Sequence, residues 1–274
     1  KEVIGIIYIP EDFDVRVNRG DESIYIMYGT TDAFLYYLAM QESSSGAMMA
    51  IDEKYRPEML VFLPQQDTQI ITQSKAISVV GTALYNHTEG YGSYLIPAVL
   101  MVIIFQTLLM VIGMISGDER NTGALSIYTG REKSFFSVSR IILGKTFVYC
   151  SLYFIFSLFL LGLMPVLFSL PDIGHKYEIT ILMIPYLLAS CFLGLAASVF
   201  YTDSESPLLM IAFFSVGLIF LSGVSYPLEL MPWYWKIAHF IIPAAPGTLA
   251  FVKINSMGAS MADIRPEYIT LWLQ

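Results

Sequence analysis

The sequence has few charged residues, and long stretches of it have none. Charged residues make up 14% of the 274 residues, against roughly 25% in ordinary soluble domains. Residues 95–116 contain no Asp, Glu, Lys, Arg or His. A helix of this length can cross a hydrocarbon core of about 30 Å, whereas a soluble helix would have a polar face. The sequence therefore predicts a segment that spans a membrane.

Cysteine and histidine are also scarce, which excludes several classes of site. The two cysteines, Cys150 and Cys191, lie in apolar stretches and are too few for a disulfide framework or a cysteine metal site. There are three histidines and no Gly-x-Ser-x-Gly or His-Glu-x-x-His motif. His239 could act as a base with Ser222 or Ser225, but an interfacial histidine bonded to water or a carbonyl is the simpler interpretation. We therefore predict no catalytic, cofactor-binding or metal site in this chain.

The second two-thirds of the chain predicts a transmembrane domain, residues 95–274. Its four long apolar stretches predict spans at about residues 95–116, 146–169, 179–201 and 207–226. Residues 227–251 are apolar but interrupted by prolines, which predicts a re-entrant hairpin on the outer side of the membrane. Residues 268–274 begin another apolar run, which predicts the start of a last span.

Residues 1–94 differ in composition and predict a water-exposed α/β domain. They contain 6 Lys or Arg and 13 Asp or Glu, and so carry most of the net charge of −8. So acidic a surface makes nucleic acid an unexpected partner. Alternation and turn residues predict strands at residues 3–9, 23–28 and 59–63, and helical segments at 11–19 and 33–50, the second interrupted at 43–46. Because the chain starts within a strand and stops within an apolar run, we expect a fragment that lacks sequence at both ends.

Basic residues in the short loops predict the orientation. The loop at residues 117–145 contains five of them, whereas residues 170–178 contain only Lys176. Cytoplasmic loops are enriched in Lys and Arg, so residues 117–145 are predicted to face the cytoplasm. Residues 1–94 and the hairpin then lie on the outer side, and the lipid bilayer surrounds the spans.

One local match to a nucleotide-binding motif is misleading. Residues 139–146, SRIILGKT, end like a phosphate-binding loop, but Ser139 replaces the first glycine and apolar residues fill the middle. We interpret them as the basic, membrane-interface end of a span. The span interiors also lack the ionisable residues that ion-coupled carriers use. The driving force is therefore expected to come from another subunit.

The order of features resembles the type-2 ABC transporter permease family, in its drug-exporter-like branch with a large outer domain between the first and second spans. GIIYIPEDF, from Gly5 to Phe13, resembles the opening of that outer domain. Residues 118–123, DERNTG, resemble the charged segment after the second span. LSGVSYPLELMPW, from Leu221 to Trp233, resembles the signature that leads into the outer hairpin. The resemblance covers nearly the whole chain and implies a fragment that lacks a first span and most of a sixth.

The resemblance implies the permease subunit of an ATP-driven exporter, not catalytic alone, that moves an amphiphilic substrate such as a drug outward across a bacterial inner membrane. It implies three kinds of partner: an ABC ATP-binding subunit that uses the ATP, a second permease copy or paralogue, and a periplasmic adaptor. The implied ATPase-coupling residues are Asp118, Glu119, Arg120, Thr122, Gly123, Arg131 and Lys133. The implied residues of the outer hairpin are Gly223, Pro227, Glu229, Pro232 and Trp233. The alternatives are a non-transporting receptor or assembly factor that binds through the outer domain, and a membrane-embedded enzyme.

Overall fold

The described part of the chain falls into two units. The computed structural model describes residues 5–19, 23–29, 34–60, 77–83, 91–123, 135–168, 173–201, 203–226, 228 and 231–274. The division lies after Glu89, so that the first unit is Lys1–Glu89 and the second is Gly90–Gln274.

The first unit is built on a three-stranded sheet in the order β1-β2-β3. Its elements are β1 (Gly5–Tyr8), α1 (Phe13–Arg19), β2 (Ser23–Gly29), α2 (Phe34–Leu60) and β3 (Ile77–Ala83). The central strand, β2, pairs antiparallel with β1 and parallel with β3. A parallel pair needs a long crossover, and α2 lies within that connection.

The core of this unit lies on one face of β2. Tyr25 and Met27 are fully buried, as the two-residue period of a strand requires for side chains on one face. Met40 from α2 packs against Met27, and the Tyr25 hydroxyl lies 3.4 Å from the Ser44 hydroxyl. These contacts fix α2 on the sheet.

Two predictions in this unit are corrected. Helix α2 is continuous through residues 43–46, where an interruption was predicted. Each serine from 43 to 45 donates its hydroxyl to the carbonyl three residues earlier, so the helix accommodates these side chains without a break. The strand predicted at 59–63 is wrong for Met59 and Leu60, which end α2; residues 61–63 lie outside the described residues. The third strand of the sheet is β3, which was not predicted.

The second unit is helical. Its helices are α3 (Tyr91–Asn121), α4 (Phe135–Leu158), α5 (Met164–Leu167), α6 (Lys176–Ala197), α7 (Ser206–Leu221), α8 (Trp233–Ile241), α9 (Ala244–Met257) and α10 (Arg265–Leu273). A π-helical turn, Phe159–Leu163, joins α4 to α5, and a 3-10 turn, Ser198–Phe200, follows α6. The residues that resemble a phosphate-binding loop, 139–146, lie inside α4 and form no loop.

Three helical segments in the described residues are long and apolar enough to cross a membrane: Leu95–Asn121, Phe135–Leu167 and Lys176–Phe200. Helix α7 is apolar but has only 16 residues. Helices α8 and α9 are bent by 84° at Ile242 and Pro243 and would make a fourth crossing only if the pair counts as one span. Their bend lies where the prolines predicted a hairpin.

Helix α3 is the centre of this bundle and packs against α6, α7 and α9. Met101, Ile104, Leu108 and Ile112, which are spaced by three or four residues and so share one helix face, are fully buried. Helix α4 is more peripheral. In the most apolar 18-residue stretch of its segment 22% of the residues are buried, compared with 44% in the α3 segment and 56% in the α6 segment.

Helix α4 meets α6 at the two cysteines, which gives a direct test of this packing. The sulfur atoms of Cys150 and Cys191 are 3.4 Å apart, and both thiols are free. A disulfide requires about 2.05 Å, so a small shift would bring the sulfurs within bonding distance. We expect copper–phenanthroline oxidation of the membrane-embedded protein to join the two residues, measured as a disulfide-linked peptide pair by mass spectrometry.

The control for this oxidation is Cys150→Ser, which leaves a single thiol and cannot form the intrachain bond. Recovery of both thiols in reduced form from the oxidised, unsubstituted protein would contradict the packing of α4 on α6.

Candidate functional site

The candidate site lies at the C-terminal end of α3, where the apolar residues of this helix are followed by the charged residues Asp118, Glu119 and Arg120. One guanidinium nitrogen of Arg120, Nη1, donates to the carbonyl oxygens of Val199 at 3.1 Å and of Tyr201 at 2.8 Å. Both acceptors belong to the link between α6 and α7. Hydrogen bonds from a charged donor are stronger than neutral ones. Arg120 therefore fastens the end of α3 to that link.

Two glycines bring the same parts of the chain close together. A Cβ added to Gly117 would lie 2.6 Å from the carbonyl oxygen of Asp203, and one added to Gly113 would lie 2.7 Å from Cβ of Pro207. Glycines four residues apart form the small-residue pattern that lets membrane helices approach each other. Any larger side chain at Gly117 would push the α6–α7 link away. We call residues 117–123 and the described residues of 198–206 the junction.

The link has its own local structure at the start of α7. The backbone N–H of Ser206 donates to Oδ1 of Asp203 at 3.0 Å, and the Ser206 hydroxyl donates to the same oxygen. These hydrogen bonds hold the pKa of Asp203 below its usual value. Asp203 is exposed, so the junction presents an ionised carboxylate at neutral pH.

An ion pair connects α3 to α4 beside the junction. The ammonium group of Lys145 on α4 donates to Glu119 on α3. The side chains of these residues are 21% and 16% exposed, so the pair is partly shielded from water. The last turn of α3 is therefore attached both to α4 and to the α6–α7 link.

A second group of polar contacts lies at the opposite end of α6. The imidazole Nδ1 of His239 on α8 lies 2.8 Å from the carbonyl oxygen of Leu221, and His239 is buried. Lys253 on α9 donates to Glu267 on α10 at 2.9 Å. These contacts hold the bent pair α8–α9 against its neighbours. The interpretation of His239 as a histidine bonded to a carbonyl agrees with this geometry.

The match that decides the family covers the whole chain. A family model described as "ABC-2 family transporter protein" matches residues 1–274. The chain belongs to the ABC-2 transporter family. It is therefore a multi-pass membrane protein and the permease subunit of an ABC transporter, a class of subunit that is generally not catalytic and pairs with an ABC ATP-binding subunit. No curated protein and no solved structure matches the chain.

The structure of this permease describes five of the seven residues predicted to couple to the ATPase. Asp118, Glu119 and Arg120 form the last turns of α3. The Thr122 hydroxyl donates to the Asp118 carbonyl at 2.8 Å, and Gly123 follows with a φ of 67°. Arg131 and Lys133 lie outside the described residues. Glu119 and Arg120 bond to other parts of this chain, and Asp118 and Arg120 are both exposed.

Three of the five hairpin residues lie in the described part of the permease. Gly223 is buried in the turn after α7 with a φ of 84°. Pro232 precedes α8, and Trp233, the first residue of that helix, is 74% exposed. Pro227 and Glu229 lie outside the described residues.

Sequence reasoning missed the two glycines and the acceptors of Arg120. The pattern Gly-x-x-x-Gly at residues 113–117 is a signal that could have located the close approach. The carbonyl acceptors at Val199 and Tyr201 leave no signal in the sequence, because every residue has a carbonyl. Among the described residues, no group of three or more His, Cys, Asp or Glu is placed to hold a metal ion.

Proposed function

We propose that this permease moves an amphiphilic substrate outward, driven by ATP that a separate ABC subunit binds and hydrolyses. The observation that carries the proposal is the pair of hydrogen bonds from Arg120 to the α6–α7 link. The charged end of α3 contains residues that the family resemblance implies for ATPase coupling, and we infer that the α6–α7 link receives the movement of the ATPase as well. In the structure they are fastened to each other, so a push on one of them displaces both.

The packing of the helices can transmit such a displacement from the junction into the membrane-spanning part of the bundle. Helix α3 packs against α6, α7 and α9, and the close approach at Gly113 and Gly117 leaves little room between α3 and the start of α7. Tightly packed elements transmit strain because they compress little. A tilt of α3 would therefore move α6 and α7 with it. The chain itself binds no cofactor, and ATP stays with the partner subunit.

The second permease copy or paralogue is expected on α7. Leu209, Phe213, Val216 and Phe220 are spaced by four, three and four residues and are 73%, 83%, 63% and 51% exposed, respectively. Residues at this spacing lie on one face of the helix and are typical of an apolar seam that packs against a second helix. A path for the substrate would form between the two permeases, near α3 and α7. Its apolar walls suit an amphiphile.

The remaining assignments extend this proposal. The membrane is the bacterial inner membrane, the first unit lies on its outer side, and the exit is shaped by the bent pair α8–α9. An adaptor in the periplasm would meet the first unit. The basic residues at 117–145 support this orientation.

The first test is purification of the full-length permease from its native membrane in a mild detergent. We expect a stoichiometric ABC ATP-binding subunit to co-purify and the complex to hydrolyse ATP in a vanadate-sensitive manner. Reconstituted vesicles should then accumulate a fluorescent amphiphile only when ATP is supplied on the side of that subunit. The control is the complex with an inactivated ATPase subunit.

Two outcomes would contradict the proposal. A complex that hydrolyses ATP but moves the amphiphile toward the side of the ATPase subunit would exclude the exporter assignment. A permease that purifies without an ATPase subunit and moves nothing would favour a receptor or assembly factor that uses the first unit for binding.

A further inference from the structure

A groove of about 1020 Å³ runs between α4 and α6, and its lining includes no residue of the junction or of the exposed seam of α7. Ligand pockets are typically about 300–1,000 Å³ and mostly apolar, with a few polar groups. The groove fits this description: most of its lining is aliphatic or aromatic, including Phe147, Phe154, Ile184 and Phe192. Both walls belong to segments long and apolar enough to cross a membrane. Its surroundings in the cell are therefore lipid.

The length of the groove matches one leaflet of a bilayer. Along α4 its lining runs from Leu143 to Ile155, which at the rise of an α-helix is about 18 Å. Half of the hydrocarbon core is about 15 Å. The groove therefore extends from one surface of the membrane to about its middle, the depth that a single phospholipid acyl chain occupies.

The two ends of the groove differ in polarity. The end at Leu143 and Gly144 lies next to Lys145 and one turn from Arg140, which is exposed. The other end, at Ile155 and Ile184, is apolar. A guanidinium group at the membrane surface binds phosphate in a bidentate geometry. The polarity of the groove is thus that of a phospholipid with its phosphate toward Arg140.

One buried polar group in the groove has no partner in the protein. Thr146 is 3% exposed, lines the groove, and its hydroxyl makes no hydrogen bond to the protein. A buried hydroxyl without a partner is costly. It lies close to the polar end of the groove, at the level where the ester oxygens of a phospholipid would enter. The hydroxyl oxygen itself is covered by protein, so the Thr146 side chain must rotate about its Cα–Cβ bond before a lipid ester oxygen in the groove accepts its hydrogen bond.

We propose that the α4–α6 groove is a binding site for one phospholipid from the leaflet at the junction end of the permease. The acyl chain fills the apolar part, the Thr146 hydroxyl donates to an ester oxygen, and Arg140 pairs with the phosphate. This site is separate from the path proposed for the transported amphiphile, and it does not depend on transport.

The test uses the full-length permease with its ATPase subunit, reconstituted with phosphatidylglycerol that carries a photoreactive diazirine on its acyl chain. We expect illumination to label peptides of α4 and α6 that line the groove. Gly144→Phe should lower this labelling at least about tenfold, because a side chain at Gly144 meets no protein atom within 4 Å and would fill the groove. Gly162→Phe is the matched control: its added atoms also meet nothing, but Gly162 does not line the groove.

A second pair of variants guards against misfolding of Gly144→Phe. Thr146→Val keeps the shape of the side chain but removes its hydroxyl, and Arg140→Gln removes the positive charge. Each variant should weaken the labelling of the groove peptides several-fold and leave any labelling of the peptide around Gly162 unchanged. Equal labelling in all of these variants would overturn the proposal. So would cross-links from the groove peptides to a second permease chain, because the groove would then be a protein interface.

Discussion

Replacing Arg120 by glutamate is expected to lower ATP hydrolysis coupled to transport at least about tenfold, while the amount of permease in the membrane stays unchanged. The reason is the pair of bonds to the Val199 and Tyr201 carbonyls. Hydrogen bonds that involve a charged group contribute about 1.5–3 kcal/mol where water is excluded. Arg120 is exposed, so we count about half of the lower value for each of the two bonds, about 1.5 kcal/mol together, which is about a factor of ten. A carboxylate at this position would also repel the two carbonyl oxygens. The measurement is vanadate-sensitive ATPase activity of the purified complex with and without the amphiphile.

The matched control is Arg265→Glu, the same change of charge on α10 in a turn that contains no part of the junction. Co-purification then separates two roles for Arg120. If Arg120→Glu loses the ATPase subunit, the residue contributes to docking. If the complex stays intact but transport and hydrolysis become uncoupled, its role is to hold the junction together. A complex with normal association, hydrolysis and transport would remove Arg120 from both roles.

Hydropathy located the membrane helices because a run of about twenty residues without charge has no good alternative in a soluble fold. It placed their ends less well. Helix α3 continues from Ser116 to Asn121, and α4 begins at Phe135, eleven residues before the predicted start at Thr146. Charged and polar residues at such ends can remain helical in the headgroup region, so the edge of the apolar run does not mark the end of the helix.

The first unit shows the limits of pattern reasoning more clearly. Alternation found β2, where buried Tyr25 and Met27 alternate with more accessible residues, and an apolar run that ends at Pro10 found β1. It missed β3, where Ile77 and two valines are mixed with serine, glycine and threonine and alternation is weak. A run of serines predicted a break in α2, yet their hydroxyls bond to the helix's own carbonyls and the helix continues.

The sequence predicted which residues belong to the candidate site, but the contacts between them are known only from the structure. A charged segment after a span identified Asp118, Glu119 and Arg120, but not that Glu119 bonds to Lys145 on α4. Which carbonyl an arginine reaches depends on how closely two backbones approach, and that distance is set by Gly113 and Gly117. The two glycines are visible in the sequence, but only the fold shows that the segment packed against them is the α6–α7 link and the start of α7.

Replacing Gly247 by alanine is expected to be the most destabilising small substitution in the second unit. A Cβ at Gly247 on α9 would lie 2.2 Å from Cδ2 of Tyr186 on α6. Tyr186 is fully buried, and its hydroxyl donates to the Met101 carbonyl on α3 at 2.7 Å. The ring can move only by breaking this hydrogen bond and disturbing the packing of three helices. Overpacking costs about 1–3 kcal/mol, and the lost hydrogen bond adds about 1 kcal/mol.

The expected result is a fall of about 5 °C or more in the apparent melting temperature of the detergent-purified permease, measured by fluorescence-detected size-exclusion chromatography after heating. Gly217→Ala on α7 is the matched control, because its Cβ meets nothing within 4 Å. That change should be neutral or stabilising, since alanine is the better helix former by about 1 kcal/mol.

A double substitution decides whether the clash with Tyr186 is the cause. Tyr186→Leu alone should destabilise the permease, because it removes the ring and the bond to Met101. In the Gly247→Ala background the same change also removes the clash, so the two effects should be less than additive by about 1 kcal/mol or more. Strict additivity, or a Gly247→Ala protein as stable as the Gly217→Ala control, would mean that α6 and α9 do not approach as closely as their backbones do here. The bend between α8 and α9 would then have to be held by the Lys253–Glu267 pair and the His239 contact rather than by the packing of α9 against the centre of the bundle.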